Sequence, residues 1–187
     1  MKQTVIVLLM SLIVGYSVAL FADNDEHGER KQGDRKEGAT KTGLTVTDAT
    51  YLKECGACHF AYQPDLLPSQ SWINMMNGLD KHFGENAELS EETRKTVLAY
   101  LSSHAAEHST SWYAAKFMKS LKSGVVPARI SEVPYFVKEH REVPKKLIAE
   151  NPEVKSISFC NTCHADAVTG GYREVKINIP NHGAWKD

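Results

Sequence analysis

Apolar side chains along this chain fall into short, well-separated patterns. Val5 to Ala22 is almost continuously apolar, and the stretch from Asp23 to Gly43 then has hardly any apolar residue. From Leu44 onward the pattern is helical. Thr47 or Asp48 can cap a short helix through Tyr51 and Leu52. A second helix is predicted from Ser69 or Ser71, because Trp72, Met75, Met76 and Leu79 recur at i, i+3, i+4 and i+7 and make one stripe. Ser90 starts a third, with Glu91 and Glu92 complementing its dipole and Val97, Leu98, Leu101 and Ala105 as its apolar face. A fourth, Trp112 to Leu121, stacks Tyr113, Phe117 and Leu121 and ends before Ser123-Gly124 and Pro127. Pro134 opens a fifth that carries Tyr135, Phe136 and His140, and Pro144 opens a further turn of helix that Asn151-Pro152 stops. After the Gly170-Gly171 break, Val175, Ile177 and Ile179 alternate with polar residues, which reads as an extended tail rather than a sheet. The expected fold class is all-α, with one small unit over residues 44–110 and a second over 111–187.

The N-terminal apolar run reads as an export signal over residues 1–22. Lys2 supplies its positive end, Ser17-Val18-Ala19 offers small residues for cleavage, and Ala22 is a second candidate site. The run is also about the minimum length that crosses a bilayer, so membrane contact is expected only if the signal stays uncleaved. Either way the rest of the chain lies outside the cytoplasm. Residues 23–43 bury too little apolar surface to offset their ordering entropy and read as a flexible charged leader. With 22 Lys and Arg against 23 Asp and Glu, the chain lacks the basic excess of a nucleic-acid binder.

Four cysteines are present, and in an exported chain they would by default suggest two disulfides. Here they form two Cys-x-x-Cys-His pentads: Cys55, Cys58 and His59, then Cys160, Cys163 and His164. Two thiols at i and i+3 project from one helical face, the arrangement that receives the two vinyl groups of a haem as thioethers. The histidine that follows swings its imidazole beneath the iron as the proximal ligand. Two haem c groups are therefore expected. A thioredoxin-like pair wants a strand-to-helix βαβ context, which is missing here. Structural zinc wants the two pairs about 15–20 residues apart, and these lie far beyond that.

Outside the pentads and the leader stand His82, His104, His108, His140 and His182, and Met75, Met76 and Met118 could also reach an iron. The choice matters, because a methionine ligand raises the reduction potential and a second histidine keeps it low. His82 is favoured for the first haem, since its Phe83-Gly84 loop lies between two helices and can fold back over the porphyrin. Met75 and Met76 read instead as packing in a helical stripe. For the second haem His140 is favoured, at the end of a helix whose Tyr135, Phe136 and Val137 can pave the haem face, with His182 as the alternative. His104, Glu107 and His108 spell an inverted zinc-protease motif, but they sit at a polar helix end and read as a solvated terminus.

Several of these residues resemble a known family. Glu54 to His59, Leu66-Leu67-Pro68, Ser71-Trp72 and Asp80 to Glu85 are similar to the dihaem cytochrome c family of bacterial periplasmic electron carriers, as are Pro134-Tyr135-Phe136 and His140-Arg141-Glu142. The resemblance implies a first unit similar to class I cytochrome c and a distinct second haem unit. It also implies bis-histidine, low-potential haems with His82 and His140 as distal ligands, and a periplasmic location. Redox partners implied by it are a small oxygen-binding haem protein and a membrane cytochrome b. Leu89 to Leu101 resembles the final helix of class I cytochromes, and the loop before it lacks methionine, consistent with His82 in that place.

Irons saturated by protein ligands leave no site for substrate, so the expected function is electron transfer between redox proteins, with no catalytic residue. A haem peroxidase or small-molecule reductase is the alternative, as is a gas-binding haem protein. Each needs one open or switchable iron.

Overall fold

Helix starts in this protein are set mostly by side-chain caps. The computed structural model describes residues 43–185, so the expected signal and all of the leader except Gly43 lie outside the described residues. Among them six α-helices follow in order: α1 (Ala49–Cys55), α2 (Ser69–Met76), α3 (Glu91–Ser103), α4 (Trp112–Ser120), α5 (Pro134–His140) and α6 (Cys160–Cys163). The Asp48 carboxylate accepts from the Tyr51 N–H at 2.7 Å to start α1, and the Ser90 and Ser111 hydroxyls accept at 3.2 and 3.1 Å to start α3 and α4. Pro134 occupies the first turn of α5, where its missing N–H costs nothing.

Helix α2 starts differently. Pro68 gives it no side-chain cap; instead the Glu107 carboxylate accepts from the Ser69 N–H at 3.0 and 3.1 Å. The segment after α3, expected to be merely solvated, forms a 3₁₀ turn at Ala106–His108 and thus supplies the cap for another helix. Burial pushes the Glu107 carboxyl up, but its hydrogen bonds with Ser69 outweigh that and hold it below its ordinary value. The apolar stripe predicted through Leu79 divides at Asn77-Gly78. Trp72 and Met76 are buried from α2, and Leu79 is buried from the 3₁₀ turn Leu79–Lys81 that follows.

One apolar cluster spans both pentad-bearing halves of the chain. Leu67, Trp72, Val97 and Leu101 join Tyr113, Phe117, Val133 and Phe136 in it. Each such side chain contributes about 1.5–3 kcal/mol when fully buried. Buried polar groups tie the same halves together. Gln63, fully buried, donates from Nε2 to the Ala167 carbonyl at 2.6 Å and accepts from the Tyr172 hydroxyl. Asp65 accepts from Ser109 and Ser111 hydroxyls at 2.9 and 2.7 Å. The described residues belong to one compact unit.

The C-terminal segment departs from the expected extended tail. Glu174–Lys176 forms a 3₁₀ turn, and β1 (Asn178–Ile179) pairs antiparallel with β2 (Gly183–Ala184), Asn178 opposite Ala184 and Ile179 opposite Gly183. Asn181 and Gly183 at φ 60° and 97° reverse the chain there, a conformation that asparagine and glycine accept most readily. Apart from this short ladder the fold is all-α. Gly170 is required twice over: it sits at φ 73°, and a Cβ there would lie 2.5 Å from the backbone of Gly43, whose N–H donates to the Gly170 carbonyl at 2.6 Å. Among the described residues no helix is long and apolar enough to cross a membrane.

Candidate functional site

The two pentads are built on different backbones. Helix α1 ends at Cys55, so Cys58 projects from the turn that follows and not from the helix itself. Helix α6 spans Cys160–Cys163 and carries both thiols on one helical turn, as the spacing predicts. All four cysteines are free. Burial pushes the Cys55 thiol up to about 11, helped by Glu54, and the Cys160 thiol up to about 12; it raises Cys163 as well. A thiol–disulfide centre needs the opposite shift, because the thiolate is the reactive form. Cys55, Cys160 and Cys163 are therefore poor redox thiols.

At the first pentad His59 faces His82. Their ring centres are 6.1 Å apart and their planes lie 19° from parallel. The His59 Nδ1 is 2.8 Å from the Phe60 carbonyl, which makes Nδ1 the donor and leaves Nε2 free to bind. His82 follows the Leu79–Lys81 turn and sits in a tight reversal closed by the Glu85 N–H donating to its carbonyl at 3.1 Å.

At the second pentad His164 faces His140, again with ring centres 6.1 Å apart, but with planes crossed at 69°. His140 is the last residue of α5; its Nδ1 donates to the Phe136 carbonyl at 2.9 Å, and its ring stacks on Phe136 at 3.9 Å. The cavity between the two rings has apolar walls that include Leu66, Phe117, Ile130, Ile148 and Ile177. The buried Nδ1 of His164 has no partner among the described residues. Burial lowers His82, with His59 adding to it, and lowers His140. Burial, then His140, brings His164 down to about 4. Neutral imidazole is the metal-binding form, so all three are ready ligands at neutral pH.

Both pairs fit an iron between them. A metal–imidazole bond of about 2.0–2.1 Å on each side, plus the ~1.1 Å from each nitrogen to its ring centre, gives roughly 6.3 Å. Two thiols beside two opposed imidazoles at each pentad fit the donors that an attached haem would need. The described residues hold no group of three or more His, Cys, Asp or Glu that would bind a metal without it.

Of the other predicted candidates, Met75 lines a cavity beside His82 and the rest lie elsewhere. Met76 is buried in the core, Met75 is half-buried on α2, and Met118 is half-buried on α4. His182 is exposed in the turn between β1 and β2, its ring 6.1 Å from Trp185. His104 turns back to the Tyr100 carbonyl at 2.9 Å. Sequence reasoning overlooks Tyr62, Gln63 and Tyr172. Tyr62 stacks on His59 at 5.0 Å and donates its hydroxyl to the Ser158 carbonyl at 2.9 Å, while Tyr172 meets His164 edge-on at 5.4 Å. The only hint in the chain is the Gln63-Pro64-Asp65 interruption between Ala61 and Leu66.

The chain matches the family model described as dihaem cytochrome c over residues 51–172. It is similar to the solved diheme cytochrome c from Rhodobacter sphaeroides, with 38% identity and a TM-score of 0.62 over 70% of this chain and 100% of that one. It is also similar to a diheme cytochrome type c from Shewanella baltica OS155, with 34% identity and a TM-score of 0.60 over 74% and 97% of the two chains. No curated protein sequence matches.

Proposed function

Because this chain belongs to the dihaem cytochrome c family, and so carries two haem c groups and serves haem-based electron transfer, we propose that it is a low-potential periplasmic carrier with each iron held between two histidines. Cys55 and Cys58 would anchor the first haem, with His59 and His82 binding its iron. Cys160 and Cys163 would anchor the second, with His164 and His140 binding its iron. Each haem supplies an iron that gains and loses one electron. The protein's burial of His82, His140 and His164 favours their neutral forms, hydrogen bonds from Nδ1 orient His59 and His140, and apolar side chains wall the second site.

The observation that carries this reading is the matched 6.1 Å separation of both imidazole pairs. Histidine in place of methionine on the distal side keeps the potential low. The periplasmic location rests on the N-terminal signal pattern. The partners are redox proteins; a small oxygen-binding haem protein and a membrane cytochrome b are proposed from the family likeness alone.

Optical spectra of His82→Ala and His140→Ala test the ligand assignment. Each variant should retain two haems per chain by the pyridine haemochrome assay and show one of them converted from low to high spin. Retention of two low-spin haems in His140→Ala would refute the second assignment. A redox titration that returns potentials typical of histidine–methionine ligation would refute the low-potential reading.

A further inference from the structure

We propose that His82 is the exchangeable distal ligand of the two, and that a small neutral π-acceptor such as carbon monoxide takes its place while the displaced imidazole moves into a cavity on its flank. The inference rests on the bis-histidine reading above.

The two distal histidines are held very differently. His140 ends a helix, donates from Nδ1 to Phe136 and stacks on the Phe136 ring. The His82 ring makes no hydrogen bond among the described residues, and its nearest aromatic support is the Phe83 ring at 4.8 Å, half of which is exposed. Its turn is strained as well. Phe83 sits at φ 53°, a left-handed conformation that bulky side chains rarely adopt, followed by Gly84 at φ 103°. Strain of this kind persists only where the surroundings enforce it, and it is released when the turn opens.

A destination for the imidazole is already present. A cavity of about 210 Å³ is lined by His82, Phe83, Ser71, Asn74, Met75 and Lys81, with residues 126–128 completing its wall. His59, Cys55 and Cys58 do not line it, so it lies beside the imidazole pair and not between its members. Ser71 is 1% exposed, and its hydroxyl has no hydrogen-bond partner among the described residues. An imidazole swung into the cavity would meet that hydroxyl and satisfy it. The exchange is free of redox change. The bond from His82 breaks and its electron pair stays on nitrogen, while the incoming ligand donates a pair in its stead.

Carbon monoxide titration of the dithionite-reduced holoprotein tests the proposal. One haem of the two should bind carbon monoxide, and His82→Ala should raise the affinity of that same haem by at least about tenfold by removing its competitor. Ser71→Ala should weaken binding roughly two- to tenfold through the lost hydrogen bond. Phe83→Asn, which accepts a left-handed backbone, should weaken it about fivefold or more by relieving the strain that favours opening. Binding at neither haem, at both equally, or at the haem converted to high spin by His140→Ala would overturn the proposal. So would affinities within twofold of wild type in both Ser71→Ala and Phe83→Asn. A low-spin wild-type protein that binds no carbon monoxide would sink this inference alone, whereas a His82→Ala protein with two low-spin haems would sink the ligand assignment beneath it.

Discussion

Replacing Gln63 by Leu should separate the two pentad-bearing halves energetically. Gln63 is fully buried and nearly matched in volume by leucine, so the packing change is small. Both of its side-chain bonds cross between the halves, one to the Ala167 carbonyl at 2.6 Å and one from the Tyr172 hydroxyl. Leucine would leave the Tyr172 hydroxyl unpaired, at about 1–3 kcal/mol for an orphaned buried polar group, whereas the Ala167 carbonyl keeps the Gly170 N–H at 2.9 Å and loses only its second donor. The expected loss is therefore about 1–3 kcal/mol, since leucine offsets the second lost bond through its own burial. At about 2–4 °C per kcal/mol for a chain of this size, the melting temperature should fall by roughly 2–12 °C. Guanidinium unfolding of the holoprotein, followed through the Soret band and far-UV ellipticity, measures it. Tyr172→Phe removes only the hydroxyl and should cost about 1–2 kcal/mol. Because the two residues share a bond, the double variant should cost about 1 kcal/mol less than the two single losses added together. A Gln63→Leu loss under about 0.5 kcal/mol, or strict additivity with Tyr172→Phe, would refute this account of the contact.

Other outcomes follow from single contacts. The near-parallel rings at the first pentad and the crossed rings at the second should give two distinct low-spin electron paramagnetic resonance signals in the ferric protein. Parallel imidazoles donate into the same iron orbital and split the pair, whereas crossed imidazoles leave it nearly degenerate, so the second haem should be the more anisotropic; two identical signals would contradict the ring geometry. Glu107→Ala should cost about 0.5–1 kcal/mol by uncapping α2. Because the folded Glu107 carboxyl lies below its ordinary value, its contribution is present above the unfolded value of about 4.3 and is lost as pH falls through the folded one. Thermal melts of wild type and Glu107→Ala should thus differ at neutral pH and converge in acid. Gly170→Ala should destabilise by more than about 1 kcal/mol, read by the same melts, because φ 73° and the 2.5 Å approach to Gly43 both exclude a Cβ.

Haem attachment is legible in the chain because its chemistry is local. Two thiols three residues apart and an adjacent imidazole are neighbours in any conformation, and the Asp48 and Ser90 caps act within three residues. The Glu107 cap leaves no comparable trace, since it reaches Ser69 across 38 positions. Gln63 and Tyr172 lie 109 residues apart, and a lone glutamine in an apolar stretch does not announce its partner.

The distal ligands fall between these cases. Composition narrows them to a handful of histidines and methionines, and family likeness points to His82 and His140, while spacing alone leaves His182 open. What brings His140 opposite His164 is the packing of α5 against α4 and the shared core, which also leaves His182 exposed at the tip of its turn. Ligand type is a property of residues, but ring opposition at 6.1 Å requires two distant backbones to be held at one distance and tilt. That constraint comes from long-range burial and hydrogen bonding, to which no local run of residues has access.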